Sequence, residues 1–197
     1  MALSEPDDIR QRIIEEATNL FVSHGYHGIS MREIAEAVGI SKAGLYYHFR
    51  DKEAMFLAIL NENLEQMERL IQDAREVGPT AREQITAMVR AIFEQTPDQR
   101  AIIRLASQEM SHISQQARAE FSRIYQAKFL GQIQDILRAG IAAGEVRALD
   151  VSLATWVLLG MMYPFFYPGE QRALESPEQA IQSILTIFFD GAIVEDA

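Results

Sequence analysis

The chain has 197 residues, 48% of them hydrophobic and 23% charged, with a net charge of −10 and no cysteine. That is enough to bury most of the apolar surface in one or two soluble globular domains, with no disulfide framework and no thiolate metal site. The acidic balance excludes a protein that coats nucleic acid without regard to sequence, because such affinity comes from neutralising phosphates.

The opening residues MALSEPDDIRQR lack the apolar core of a signal peptide, so the cytoplasm is the expected compartment. From Pro6 to His24 the residues Ile9, Ile13, Ala17, Leu20 and Phe21 recur on one helical face, and Gly25 ends that helix. His24 and His27 stand three apart. Gly25 separates them, and neither a carboxylate nor a thiol follows at metal spacing, so both read as surface or junction residues and no metal is expected. Ser30 with Glu33 is a capping box that opens a second helix running to about Val38. Gly39 stops it in the left-handed conformation, and Ser41 caps a third, short helix. Ile34, Val38, Ile40, Leu45 and Phe49 close a small core between these two helices, with Ala35 small enough for a close approach. Lys42, Ala43, Gly44, Tyr46, Tyr47 and His48 are left facing outward, a set suited to bases and phosphates. Two short helices around a tight turn read as a helix-turn-helix. From Met1 to Glu53 there are six Lys/Arg against nine Asp/Glu, yet Val38 to Arg50 holds Lys42 and Arg50 and no acid. Recognition is therefore expected to be local and salt-sensitive.

Asp51 caps a long helix expected to reach about Val77, with Phe56, Ile59, Leu60, Met67, Leu70, Ile71 and Ala74 as its buried stripe. At 1.5 Å per residue it spans roughly 40 Å, a length that suits a lever. It stops at Gly78-Pro79. Thr80 with Glu83, Thr96-Pro97 with Gln99, and Ser176-Pro177 with Gln179 are further capping boxes, and Asp150 is a weaker cap. They set helices at about 80–95, 97–112, 115–143, 151–163 and 177–192. No segment alternates with period two. The expected fold class is all-α, with about nine helices.

Val151–Gly169 carries no charge, but its Ser152, Thr155 and two prolines, its acidic flanks and the lack of a basic cluster argue against a membrane span. A helix apolar all round is buried on every side. A small protomer achieves that by sharing the helix with a second copy, and the last helix is its natural companion. The expected four-helix interface of a homodimer uses Leu153, Val157, Gly160, Met161, Ile181, Ile184, Leu185 and Phe188, with Gly160 permitting close approach.

The segment SMREIAEAVGISKAGLYYHFRDKEAMF, Ser30 to Phe56, resembles the N-terminal domain of the Tet-repressor (TetR/AcrR) family of regulators. The resemblance is close over about the first third of the chain and extends to the rest only in layout. It implies a DNA-binding domain over residues 1–51 and a helical regulatory and dimerisation domain over 52–197. By position in the resembled motif, Lys42, Ala43, Gly44 and Tyr46 face base edges or the groove floor, with Ser41 capping them. Tyr47, His48, Ser30, Arg32 and Lys52 hold phosphates. Base contacts set sequence and phosphate contacts set register. Three alternatives stay open: Tyr46 packs its ring into the head, His48 caps the helix end, or Arg32 is a solvated charge. Gly44 departs from the hydroxyl or bulkier residue usual in the family, which removes one possible contact. A symmetric dimer on a palindromic operator is implied, and the proposed interface matches where the family dimerises.

The resemblance also implies a small-molecule effector pocket between residues 80 and 144 and the helices beyond. The candidates are Phe93, Ile102, Leu105, Glu109, Met110, His112, Phe121, Tyr125, Trp156, Tyr163 and Phe166, although most aromatic and Met positions at helical spacing are ordinary core. Glu109 sits at the edge of an apolar face, where an unpaired charge is costly. Either a basic group such as Arg104 pairs with it, or it awaits a cationic or hydroxylated ligand. The chain has no Gly-rich phosphate loop, no HExxH and no nucleophile elbow, so neither an enzyme nor a cofactor is expected. The rival readings are control by a protein partner and an effector that promotes rather than releases DNA binding.

Overall fold

The computed structural model describes residues 6–166 and 176–191; the expected end of the last helix at 192 and the end of the uncharged run, 167–169, lie outside them. In chain order α1 is Pro6–His24, α2 Met31–Val38, α3 Lys42–His48, α4 Lys52–Glu76, α5 Ala81–Glu94 and α6 Pro97–Glu109. Then come α7 Gln115–Tyr125, α8 Gly131–Ala142, α9 Val151–Met162 and α10 Pro177–Asp190. A π-turn over Gln126–Leu130 joins α7 to α8 without a break, so with that run counted once the described residues form nine helices and no strand. No helix among the described residues is long and apolar enough to cross a membrane.

The helix starts follow from local chemistry. Ser30 and Glu33 close their capping box reciprocally, as do Thr80 and Glu83, and the backbone of Thr96 pairs with Gln99 in the same way. Asp150 is a stronger cap than its sequence context suggests, because one carboxylate oxygen accepts from both Ser152 N at 2.8 Å and Leu153 N at 3.0 Å. Asp51 accepts from Ala54 N at 2.7 Å, which fixes the start of α4. Gly39 closes α2 with φ +78, a conformation side chains other than glycine's rarely take.

Contacts divide the chain into two compact units. One holds the chain up to Asn63 together with Ala101–Ser122. Its core is Ile13, Phe21, Ile34, Leu45, Met55 and Phe56, with the rings of Phe21, Tyr26 and Phe56 within 5.0 to 5.9 Å of one another. Arg12 reaches across to donate to Val38 O at 3.1 Å, so α1 satisfies a carbonyl at the end of α2.

The other unit holds Leu64–Arg100 and the chain from Arg123 onward. Ile71, Ile85, Met88, Val89, Ile133, Leu137 and Leu158 fill its core. Gly140 of α8 marks a close approach in that unit. A Cβ there would lie 2.5 Å from Ala81 Cβ and 2.9 Å from Val146 Cγ2. Gly140→Ala is expected to lower stability by about 1–2 kcal/mol, the overpacking cost exceeding the gain in helix propensity. Urea denaturation measures it, and an unchanged midpoint would mean that α8 shifts freely.

In α9 the residues Ala154, Thr155, Leu158 and Met162 face inward. Leu153, Trp156 and Val157 are 64%, 55% and 49% exposed, and Gly160 lies on the same outer face with nothing within 4 Å of a would-be Cβ. Two expectations change here. Trp156 belongs to this outer stripe rather than to an interior pocket, because it is one turn from both Leu153 and Gly160. Ile181 and Ile184 are each 4% exposed, packed within their own chain on the inner face of α10, so they are core and not available to a second copy. Leu185, Phe188 and Met161 are half-buried, and Ile187 is the exposed apolar residue of α10.

Candidate functional site

The outward face of α3 is created by what its inward face must do. Leu45 is fully buried and Phe49, just past the helix end, nearly so. With these two anchored, helical geometry leaves Lys42, Ala43, Tyr46 and Tyr47 exposed and Gly44 and His48 half-buried. Ser41 caps the helix by accepting from Gly44 N at 3.0 Å. The Lys42 ammonium lies 5.8 Å from the centre of the Tyr46 ring, and Tyr47 meets the His48 ring edge to face at 5.2 Å. Tyr47 is 83% exposed, held by no core packing that its removal would disturb. The result is a short helix whose free face is two phenols, one ammonium and one imidazole.

The flanking candidates are more committed. The Ser30 hydroxyl donates to Glu33 Oε2 at 2.6 Å, and Arg32 Nε donates to Glu36 Oε1 at 2.7 Å on an open surface. That neighbouring carboxylate holds the Arg32 guanidinium pKa above its usual value. Lys52, expected on phosphate, is engaged within the fold. Its ammonium donates to Tyr26 O and Ile29 O, both at 2.8 Å, and sits 4.6 Å from the Tyr26 ring centre. Burial lowers its pKa, opposed by the carboxylates of Glu109 and Glu33. Lys52 thus ties the start of α4 to the turn between α1 and α2. Gly28 in that turn is obligatory, since a Cβ there would lie 2.2 Å from His24 O.

Contacts from far along the chain complete this end of the molecule, and sequence spacing did not show them. Glu53, next to Lys52, accepts from Ser114 N at 2.7 Å and from Ser114 Oγ at 2.9 Å, which fixes the start of α7. Glu109 accepts from Tyr26 N at 3.3 Å and faces His112 Nδ1 at 2.9 Å. The basic partner of Glu109 is thus a histidine three residues on. The Tyr26 hydroxyl is pushed to higher pKa by burial first, then by Glu53, Asp51 and Glu109.

The residues expected to line an effector pocket fall into both units. Ile102, Leu105, Glu109, Met110, His112 and Phe121 belong to the unit that carries α3, with Leu105 and Phe121 buried in it. Phe93, Tyr125, Tyr163 and Phe166 belong to the other. There Phe93 stacks obliquely on Phe165 and Phe166, at 5.8 and 5.9 Å. Burial pushes the Tyr125 hydroxyl up to about 12, so it stays neutral. Among the described residues, Gln95 is buried with its Oε1 unpaired while its amide nitrogen reaches only Met67 Sδ at 3.9 Å. An unmet buried acceptor costs about 1–3 kcal/mol unless something donates to it.

Comparison with known proteins matches this arrangement from both ends. A family model for bacterial regulatory proteins, tetR family, matches residues 13–59, and one for the tetracyclin repressor-like C-terminal domain matches residues 78–164. The HTH-type transcriptional repressor KstR2 of Mycolicibacterium smegmatis is 27% identical over 196 residues, covering 95% of this chain and 92% of that protein. The transcriptional regulator FadR of Bacillus subtilis, solved in complex with stearoyl-CoA, superposes with a TM-score of 0.80 at 22% identity, covering 93% of this chain and 99% of that one. AibR, solved with isovaleryl coenzyme A and operator DNA, gives 0.77 at 22% identity, covering 92% and 98%.

Proposed function

The chain belongs to the Tet-repressor family of bacterial regulatory proteins, and on that premise we propose that it is a homodimeric, sequence-specific DNA-binding repressor released from a palindromic operator by a small molecule. Members of this family are transcriptional regulators rather than enzymes. The observation that carries the reading is the outer face of α3. Lys42, Tyr46 and Tyr47 are presented by a helix held from behind by Leu45 and Phe49, with no acid between Val38 and Arg50. In this reading residues 1–51 recognise DNA and residues 52–197 sense the effector and pair two protomers in the cytoplasm.

A helix of this size enters the major groove and reads base edges there. Lys42 donates to guanine acceptors and Ala43 meets a thymine methyl. Tyr47 and His48 position the helix on phosphates. A protomer reads one half-site, and the exposed α9 stripe supplies the second copy.

Release requires that an effector prefer one of two states, and it shifts the equilibrium only by that preference. The aromatic group of Phe93, Phe165 and Phe166 and the unpaired oxygen of Gln95 support an effector with an apolar chain and a hydrogen-bond donor. Because FadR and AibR were solved with acyl-CoA thioesters, these are the first probes to try. α4, α6 and α7 each begin in one unit and end in the other, and they are the elements through which a change of state would reach the head.

Selection of bound sequences from a random DNA pool tests the reading directly. It is expected to return an inverted repeat, and electrophoretic shift of that repeat is expected to weaken as acyl-CoA is added. A pool that never converges would count heavily against the reading. Within the same assay Lys42→Ala is expected to relax preference at one base-pair step, worth about 1–3 kcal/mol of discrimination, while Tyr47→Ala lowers affinity for all sequences alike. Equal loss on every sequence with Lys42→Ala would remove it as a base reader.

A further inference from the structure

His27 stands on the turn between α1 and α2, and its surroundings come from the other end of the same unit. A ring nitrogen of His27, one of His112 and a carboxylate oxygen of Glu109 all lie within 4.8 Å of one another. The two imidazoles meet edge to face with centroids 4.5 Å apart. Glu109 Oε2 is 2.9 Å from His112 Nδ1. Its other oxygen, Oε1, accepts from the backbone amide of Tyr26, the residue next to His27. Both histidines are exposed and Glu109 is half-buried.

A hydrogen-bonded Glu109–His112 pair explains two of these residues but gives no reason for a second imidazole at the same carboxylate. Two neutral nitrogen donors and one anionic oxygen are a donor set of the kind catalytic and regulatory zinc sites use, with further positions open to water. The same set is too rich in nitrogen for Mg2+ or Ca2+, which take oxygen ligands. Glu109 also has the support a ligating carboxylate needs. The Tyr26 amide holds one oxygen and so aims the other, the outer-shell arrangement that orients metal ligands. Metal–donor distances of about 2.0–2.2 Å in a tetrahedron put donors about 3.3 Å apart. A 4.8 Å separation therefore closes by about 1.5 Å and the 2.9 Å Glu109–His112 contact opens by about 0.4 Å, movements that ring rotation of two exposed histidines supplies.

We propose that His27, Glu109 and His112 form a binding site for one Zn2+-class divalent ion per protomer, completed by water. Bound there, the ion cross-links the turn that leads into α2 to the end of α6. The site stands on its own geometry and is independent of the effector reading.

The test uses the full chain, stripped with chelator and then titrated calorimetrically with ZnCl2 and spectroscopically with CoCl2. Wild type is expected to bind one Zn2+ per protomer and to give the visible d–d bands of tetrahedral cobalt, bleached by Zn2+ and untouched by excess Mg2+. His27→Gln and His112→Gln are each expected to lose more than the roughly 10- to 100-fold that removal of an outer-shell partner costs. His24→Gln, at a histidine that is not part of the cluster, is expected to bind as wild type does. Circular dichroism of the exposed-histidine variants confirms that they fold. No zinc heat and no cobalt bands in wild type would overturn the site. Undiminished binding in either cluster variant, loss of binding in His24→Gln, or displacement of cobalt by Mg2+ would do the same.

Discussion

Val157→Glu is expected to give a protein that sediments as a monomer, keeps its helical content, and binds its operator about 10²- to 10⁴-fold more weakly. The magnitude follows from geometry rather than from the lost contact. Two heads joined in one dimer make the second half-site encounter intramolecular, and that advantage disappears whole when the dimer does. Val157 is the right probe because it is 49% exposed in the single chain, so a carboxylate there is solvated in the monomer and buried only between copies. Leu153, Trp156 and Gly160 surround it on the same face, a contiguous apolar surface of the kind that marks an interaction site. Analytical ultracentrifugation reads the stoichiometry and fluorescence anisotropy on a labelled operator reads the affinity. A dimer that survives Val157→Glu would move the interface off α9. Ile184→Glu would be the wrong experiment, because that side chain is buried within its own chain and a carboxylate there is expected to destabilise the fold whether or not a dimer forms.

That contrast shows which parts of the molecule can be read from sequence. Helix starts were legible because a cap is a local event. Ser30 with Glu33, Thr80 with Glu83, and Asp51 each satisfy backbone amides within three residues. The stop at Gly39 and the turn into α3 are local in the same sense. The register of α9 was not legible. In a run with no charge every rotation about the axis offers an apolar face, so the sequence contains nothing to choose between Trp156 inward and Trp156 outward. Neighbouring helices make that choice, and they turn Ala154, Thr155 and Leu158 inward. In α10 the apolar period predicts a buried face correctly but not whether the burial is within one chain or between two. Long-range polar pairs lie further out of reach. Glu109 and Tyr26 are 83 positions apart, and no periodicity links them. The clue that did exist was the spacing of Glu109 and His112 by three, which puts both on one helical face; what was missing was His27, supplied only by the fold.

Lys52→Ala carries the other large expected effect, and it separates two roles that one side chain combines. In the fold the ammonium makes charge-assisted bonds to Tyr26 O and Ile29 O, both partly buried. Removing it strands two carbonyls, so stability is expected to fall by about 2–3 kcal/mol, read as an earlier urea midpoint. The bonds it loses lie at the turn leading into α2, so operator affinity falls as well. If Lys52 also holds a phosphate with its remaining N–H, one fewer counterion is released on binding, and the slope of log affinity against log salt flattens by about 0.9. If its role is the tie alone, the midpoint falls and the slope stays. Tyr47→Ala is the reference for that comparison, since an 83% exposed side chain is expected to lower affinity without moving the urea midpoint. A Lys52→Ala protein with wild-type stability would show that the Tyr26–Ile29 carbonyls are satisfied by solvent, and the tie between α4 and the head would have to be sought in the packing of Phe56 against Phe21 and Tyr26 instead.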